Sequence, residues 1–183
     1  MLASGVKRVI VGCTDPNPVV AGRGIRLLRE KGLEVVAGVL RGECERQNEV
    51  FFHFMRTKLP FTVLKYAMTL DGKTATVSGK SQWITGEAAR KRVHEDRGRY
   101  MAILTGVSTV LADNPQLTCR IPGGKNPIRV IADTKLRTPL SSTVVQTARE
   151  TPTWIVTAVS DAGRKKAYED AGCRVLSVPA KED

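Results

Sequence analysis

An α/β fold built around a mostly parallel sheet is the class this sequence predicts, and three observations point to it. Short β-branched runs alternate with charged or amphipathic helical stretches. Several of those runs end in small polar residues, as strands do where a parallel sheet meets its loops. No internal repeat or low-complexity tract interrupts the alternation.

The elements follow in order. KRVIVG, from Lys7 to Gly12, is a β-branched run and predicts a strand. TDPNPVVAGRG is a loop, with two prolines among turn residues. GIRLLREKG predicts a short helix closed by Gly32, and LEVVAGVL the next strand, which completes a parallel, right-handed βαβ unit. GECERQNEVFFHFMRTK carries Cys44, Gln47, Phe51 and Met55 at helical spacing and predicts one helix, its aromatic stripe serving a core or a domain interface. Pro60 stops that helix. LPFTVLKYAMTLDG then predicts a strand, so a domain boundary is placed near Leu59. Beyond it come a helix (TGEAARKRVHEDRGRY), a strand (MAILTG), a long loop (VSTVLADNPQLTCRIPGGKN) and a strand (PIRVIAD). A turn region, a strand (TWIVTAV), a helix (SDAGRKKAYEDAG) and a last strand (CRVLSVP) complete the order.

Composition narrows the function. The 183 residues, 42% of them hydrophobic, can build a core for one domain, or for one small domain and part of another. No apolar run is long enough to span a bilayer, and the start lacks the order of a signal peptide, so a soluble, cytoplasmic protein without membrane partners is expected. Four scattered cysteines with no CxxC pair suit buried thiols in a reducing compartment. The net charge of +11 favours anionic ligands. Nucleic acid is the disfavoured anion, because the basic residues are interleaved with acidic ones and aromatics are only 5%.

Three strands end in polar clusters followed by basic residues: TLDGK, TGVSTVLADNP and ADTKLR. Any one of these alone is ordinary turn chemistry. Their recurrence at strand ends is what suggests a ligand crevice, since open α/β sheets bind ligands at the carboxyl ends of their strands. Thr85 is the expected N-cap of the following helix, whose amides, with Lys80, would favour an anion. AGRG at Ala21 to Gly24 is only half a dinucleotide fingerprint. With two histidines, His53 on an apolar stretch and His94 among charges on an expected solvated face, no nucleophilic triad can be assembled. Hydride transfer needs none, because a cofactor carries that chemistry.

Taken together, DPNPVVAGRG, KYAMTLDGKTATVSGKSQWIT, TGVSTVLADNPQLTCR and PIRVIADTKLRTP resemble the bifunctional riboflavin-biosynthesis deaminase/reductase family. That family pairs a zinc-dependent pyrimidine deaminase with a reductase of dihydrofolate-reductase-like fold. The resemblance covers nearly the whole chain. It implies NADPH-dependent reduction of 5-amino-6-(5-phosphoribosylamino)uracil, the opened ribose accepting hydride as its imine and becoming a ribityl chain. By position it implies cofactor contacts at Ala67, Trp83, Thr109, Asp113 and Thr134, and substrate contacts at Ser81, Arg97, Leu117 and Arg120. Asp71 and Lys73 belong to the same motif as candidates for the site wall. No catalytic residue is assigned. Arginine forks suit a substrate phosphate, which fits Arg97 and Arg120. The family's usual homo-oligomeric state is expected as well.

Two departures qualify the resemblance. The deaminase H-x-E element and its Pro-Cys motif are absent, so residues 1–58 are expected to be the last βαβ of a deaminase domain plus a connecting helix, without zinc or deaminase activity. Residues 59–183 are expected to be the N-terminal part of the reductase, whose remaining glutamate and glycine-rich segment would lie beyond Asp183. The rival reading is a non-catalytic remnant that still binds a nucleotide or a partner. The purified chain is expected to hold no stoichiometric zinc; metal analysis returning one tightly held zinc per chain would overturn the reading of residues 1–58.

Overall fold

The computed structural model describes residues 2–179 and has the expected α/β class, with two all-parallel sheets. The chain divides into two compact units, Met1–Tyr66 and Ala67–Asp183.

The first unit contains β1 (Arg8–Val11), α1 (Arg23–Glu30), β2 (Glu34–Ala37), α2 (Arg41–Gln47) and α3 (Glu49–Thr57). β1 and β2 pair in parallel, Arg8 against Glu34, and the two side chains form an exposed ion pair at 2.7 Å. α1 ends as the sequence predicts: Gly32 takes a left-handed φ of 81°, and its N–H donates to the Arg29 carbonyl at 2.9 Å. The single helix expected over residues 42–58 is instead two helices. Asn48 interrupts it, its side-chain amide donating to the Cys44 carbonyl at 2.8 Å and so capping the end of α2. Phe52 of α3 is buried, whereas Phe51 and Phe54 are exposed.

The second unit contains α4 (Glu87–Arg99), β3 (Ala102–Gly106), α5 (Val107–Asp113), β4 (Ile128–Ala132), α6 (Thr143–Gln146), β5 (Thr153–Thr157), α7 (Ala162–Asp170) and β6 (Arg174–Ser177). The strand order is β3-β4-β5-β6, with Thr105, Ile131, Ile155 and Val175 in one register row. The face that includes Ile131 and Ile155 is buried under Val107 and Val110 of α5, Val144 and Val145 of α6, and Tyr168 of α7. α7 begins at Asp161, whose carboxylate accepts the Arg164 amide at 3.1 Å.

Three expectations are corrected here. The strand predicted over residues 59–72 is not formed: an extended, apolar segment becomes a strand only beside a free edge, and this one has no ladder partner among the described residues. Leu64 and Leu70 are correspondingly exposed. The loop predicted after β3 begins with α5, because Val107 and Val110, three residues apart, both face the core; Asn114, at φ 40°, ends it. Thr85 is not an N-cap. Gly86 occupies that position, and the Thr85 carbonyl instead accepts a 2.6 Å bond from the Arg90 guanidinium.

At the base of β4 lies Arg129, fully buried. Its Nε donates to Thr153 Oγ1 at 2.9 Å, and its Nη1 to the Gln116 carbonyl at 3.1 Å and Thr147 Oγ1 at 2.8 Å. Its Nη2 donates to the carbonyls of Val144, Thr147 and Thr151 at 3.1, 3.0 and 2.8 Å. Burial pushes the guanidinium's affinity for its proton down. Even so, the ring of oxygens needs a cation with several forked donors, which only arginine supplies. Arg129→Met is expected to lower unfolding free energy by about 3–5 kcal/mol, because it strands buried acceptors. Arg129→Lys should lose roughly 2 kcal/mol, because three donors cannot reach six acceptors. Urea denaturation of both variants checks this; a loss under 1 kcal/mol in Arg129→Met would show the oxygens to be satisfied without it.

Candidate anion and cofactor sites

The residues singled out in the sequence fall into three places in the second unit. The first is the segment from Ala67 to Trp83. It holds two successive loops of the same build, TLDGK and TVSGK, a short internal repeat that the sequence reading missed. In each, the first Thr amide donates to the Lys carbonyl (2.9 and 2.8 Å) and the Gly amide to the Thr carbonyl (both 2.9 Å). The Lys amide donates to the Thr hydroxyl oxygen (2.9 and 3.0 Å). Gly72 and Gly79 take left-handed φ values of 80° and 79°, which explains a glycine at the fourth position of both. Asp71 accepts from Thr69 and pairs with Lys73 at 3.4 Å, and these partners hold its carboxyl below its usual range. Ala67 and Ser81 are half-buried. Trp83 is exposed, with the Arg90 guanidinium 4.5 Å from its ring centre.

The second place is the carboxyl rim of β3 and β4, whose ends Gly106 and Ala132 are register partners. Thr109 and Asp113 lie four residues apart on exposed positions of α5, and Thr134 is exposed just past β4. The turn that begins at Thr134 has directional polarity. Its carbonyls are tied inward: Thr134 to the Ala158 amide (3.1 Å), Lys135 to Arg164 (3.0 Å), Leu136 to Arg164 (3.2 Å) and Thr138 to the Tyr168 hydroxyl (2.7 Å). Beneath, Asp133 Oδ2 accepts both the amide and the hydroxyl of Thr138 at 2.7 Å. The amides of Thr134, Lys135 and Arg137 have no acceptor among the described residues. Bonded carbonyls, amides without an acceptor among the described residues and two exposed basic side chains suit a phosphate.

The third place is the last turns of α4 and the loop that docks there. Arg97 Nη1 donates to the Thr118 carbonyl at 3.1 Å, while its Nε is buried without a partner. The Cys119 thiol donates to the His94 carbonyl at 3.2 Å, and the Arg120 amide to His94 Nδ1 at 3.2 Å. Asn126 Oδ1 holds the Cys119 amide at 3.0 Å. Arg97 and Arg120 are therefore brought together, with no carboxylate bonded to either among the described residues. Burial, and then repulsion from Arg120, lower the proton affinity of Arg97. Leu117 differs from its neighbours: its side chain is in the core, and its backbone turns at φ 55°. The arginines precede the amino ends of β3 and β4, whereas Thr109, Asp113 and Thr134 follow the carboxyl ends, and among the described residues no hydrogen bond joins the two groups.

Elsewhere, a depression of about 480 Å³ in the first unit is lined by His53, Leu59, Pro60, Phe61 and Thr62, with His53 edge-on to Phe61 at 5.6 Å; it lacks converging charge. Among the described residues no group of three or more His, Cys, Asp or Glu could hold a metal ion, and no helix is long and apolar enough to cross a membrane.

The family model described as the RibD C-terminal domain matches residues 60–179. The riboflavin biosynthesis protein RibD of Actinobacillus pleuropneumoniae is 50% identical over 181 residues, covering 99% of this chain and 48% of that protein. RibD of Bacillus amyloliquefaciens is 52% identical over 180 residues, covering 97% and 48%. Among solved structures, the Thermotoga maritima diaminohydroxyphosphoribosylaminopyrimidine deaminase/5-amino-6-(5-phosphoribosylamino)uracil reductase is similar at a TM-score of 0.78 and 37% identity, covering 96% of this chain and 55% of that one. The chain spans about half the length of the curated relatives it matches. With the matched segment reaching across all three places from Ala67 to Thr134, the chain belongs to the RibD C-terminal domain family.

Proposed function

We propose that the chain is a reductase of riboflavin biosynthesis that uses NADPH on 5-amino-6-(5-phosphoribosylamino)uracil, working in the cytoplasm as a homo-oligomer. The observation that carries this reading is the pair Arg97 and Arg120, drawn together without an acid and with one guanidinium N–H buried and unbonded. Two forked cations can grip a phosphate monoester. In this substrate the phosphate sits at the opposite end of the ribose chain from the carbon that takes the hydride. An anion site set apart from the cofactor rim therefore suits it.

The residues after β3 and β4 fit the cofactor. The amides of Thr134 and Lys135, without an acceptor among the described residues, and exposed Lys135 and Arg137 suit its phosphates, and the exposed polar groups of Thr109 and Asp113 suit its sugars. NADPH supplies the hydride when bound. The part of this chain is to bind, orient and exclude water: Arg97 and Arg120 fix the phosphate end, Ser81 takes a hydrogen bond to substrate, and Ala67 leaves room for a flat ring. A second reading is favoured by the unpaired, exposed segment before Ser81: the chain binds these anions but does not turn them over. NADPH oxidation, followed by absorbance with substrate present, separates the two readings.

Arg97→Ala and Arg120→Ala should each weaken substrate binding by roughly ten- to a hundredfold, the worth of a charge-assisted hydrogen bond, with NADPH affinity unchanged. Calorimetry with each ligand reads this; unchanged substrate affinity in both variants refutes the assignment. Ala67→Leu should cost NADPH about tenfold or more in affinity while the melting temperature holds. If Ala67 faces a core instead, the same change overpacks it, and melting falls while cofactor affinity changes only in proportion.

A further inference from the structure

We infer that His94 is a positioning residue for the anion site, holding Arg120 in place only while its imidazole is neutral; the inference rests on reading Arg97 and Arg120 as that site. His94 and Arg97 lie three residues apart on α4 and so share a face. From that face they hold three consecutive residues of the docking loop. Arg97 binds the Thr118 carbonyl, the His94 carbonyl binds the Cys119 thiol, and His94 Nδ1 accepts the Arg120 amide.

The last of these bonds dictates the tautomer. Nδ1 must be bare to accept an N–H, so the ring proton sits on Nε2. A proton added at Nδ1 turns the acceptor into a donor. It then opposes the Arg120 amide, although the Thr118 carbonyl favours the charged ring. Protonation thus releases the backbone of Arg120 from α4.

The groups facing the imidazole agree. Burial, then Arg97, then Arg120 hold His94 below its ordinary 6.5, while Glu95 and Asp96 on its own helix are engaged with Arg92 at 3.7 and 3.3 Å. A group depressed in the fold is neutral there at neutral pH. Its contribution to stability is complete above the ordinary histidine range and is lost as pH falls. The clamp is therefore closed at neutral pH and opens on acidification.

This is opposite to what charge alone dictates. An imidazolium beside two arginines would attract an anion more strongly. Sulfate is the probe that tells the two apart, because it stays a dianion where a phosphate monoester, with a second pKa of about 6, does not. Sulfate binding to the whole chain would be measured by calorimetry between about pH 7.5 and 5.5, with melting curves at each pH to confirm a folded protein. The wild type should lose affinity on acidification, by less than about tenfold at pH 5.5 because the ring's proton affinity is depressed. His94→Leu should bind sulfate weakly at every pH. His94→Asn, whose side-chain oxygen stands where Nδ1 stood but does not titrate, should bind like wild type at the upper pH and keep that affinity at the lower one.

Tighter sulfate binding by the wild type in acid, wild-type affinity in His94→Leu, or a wild-type pH profile in His94→Asn would each overturn the role of His94. Loss of binding in Arg97→Ala and Arg120→Ala alongside any of these results leaves the anion site standing. No sulfate binding by the wild type at any pH would overturn the inference together with the site.

Discussion

The second unit depends on one buried cation. Arg129 gathers oxygens from the loop after α5, from the end of α6 and from the entry to β5, and none of its hydrogen-bond acceptors among the described residues is a carboxylate. Spreading the counter-charge over carbonyl dipoles avoids burying a second ion, whose desolvation is the dominant cost of a buried pair. The bond to Gln116 links this hub to the loop that carries Arg120. Gln116 is followed by Leu117, which enters the core, and then by Thr118, Cys119 and Arg120, which dock on α4. The loop that carries Arg120 is thus anchored at one end by a hydrophobic side chain and at the other by α4, with Arg129 setting where the loop begins.

Much of the fold was legible because its signals are local. Gly32 closes α1 for a reason contained in one residue's φ, and Asp161 caps α7 with its own side chain. The strands of both sheets declare themselves through β-branched runs. The failures share a different cause. Residues 60–68 have the composition of a strand, but a strand also needs a neighbour's edge, which composition cannot supply. α5 is rich in β-branched residues and close to Pro115, so propensity argues against a helix that packing of Val107 and Val110 makes worthwhile. Asn48 breaks a helix through a bond to a carbonyl four residues earlier, which periodicity does not register.

The candidate site was legible in part. Arginine chemistry pointed to Arg97 and Arg120, and the structure brings them together. His94 was read as a solvated residue because its sequence neighbours are charged; the cue lay in its three-residue spacing from Arg97. Arg129 was passed over inside an apolar strand, although alternation puts it on the same face as Ile131 and Asp133. Placement on α4 also lowers the cost of crowding like charges. Arg97 and Arg99 lie in the last turn, where the helix's partial negative charge offsets part of the repulsion.

The twin loops at Thr69 and Thr76 have a consequence for the order of assembly. Every bond in either loop closes within five residues, whereas β3 meets β4 only after the intervening loop has been gathered in. Local closures of this size take on the order of 10–100 ns, and parallel pairing across long crossovers is far slower. The backbone settings of Lys73 and Lys80 therefore need nothing from the sheet, and each loop closes independently of the other.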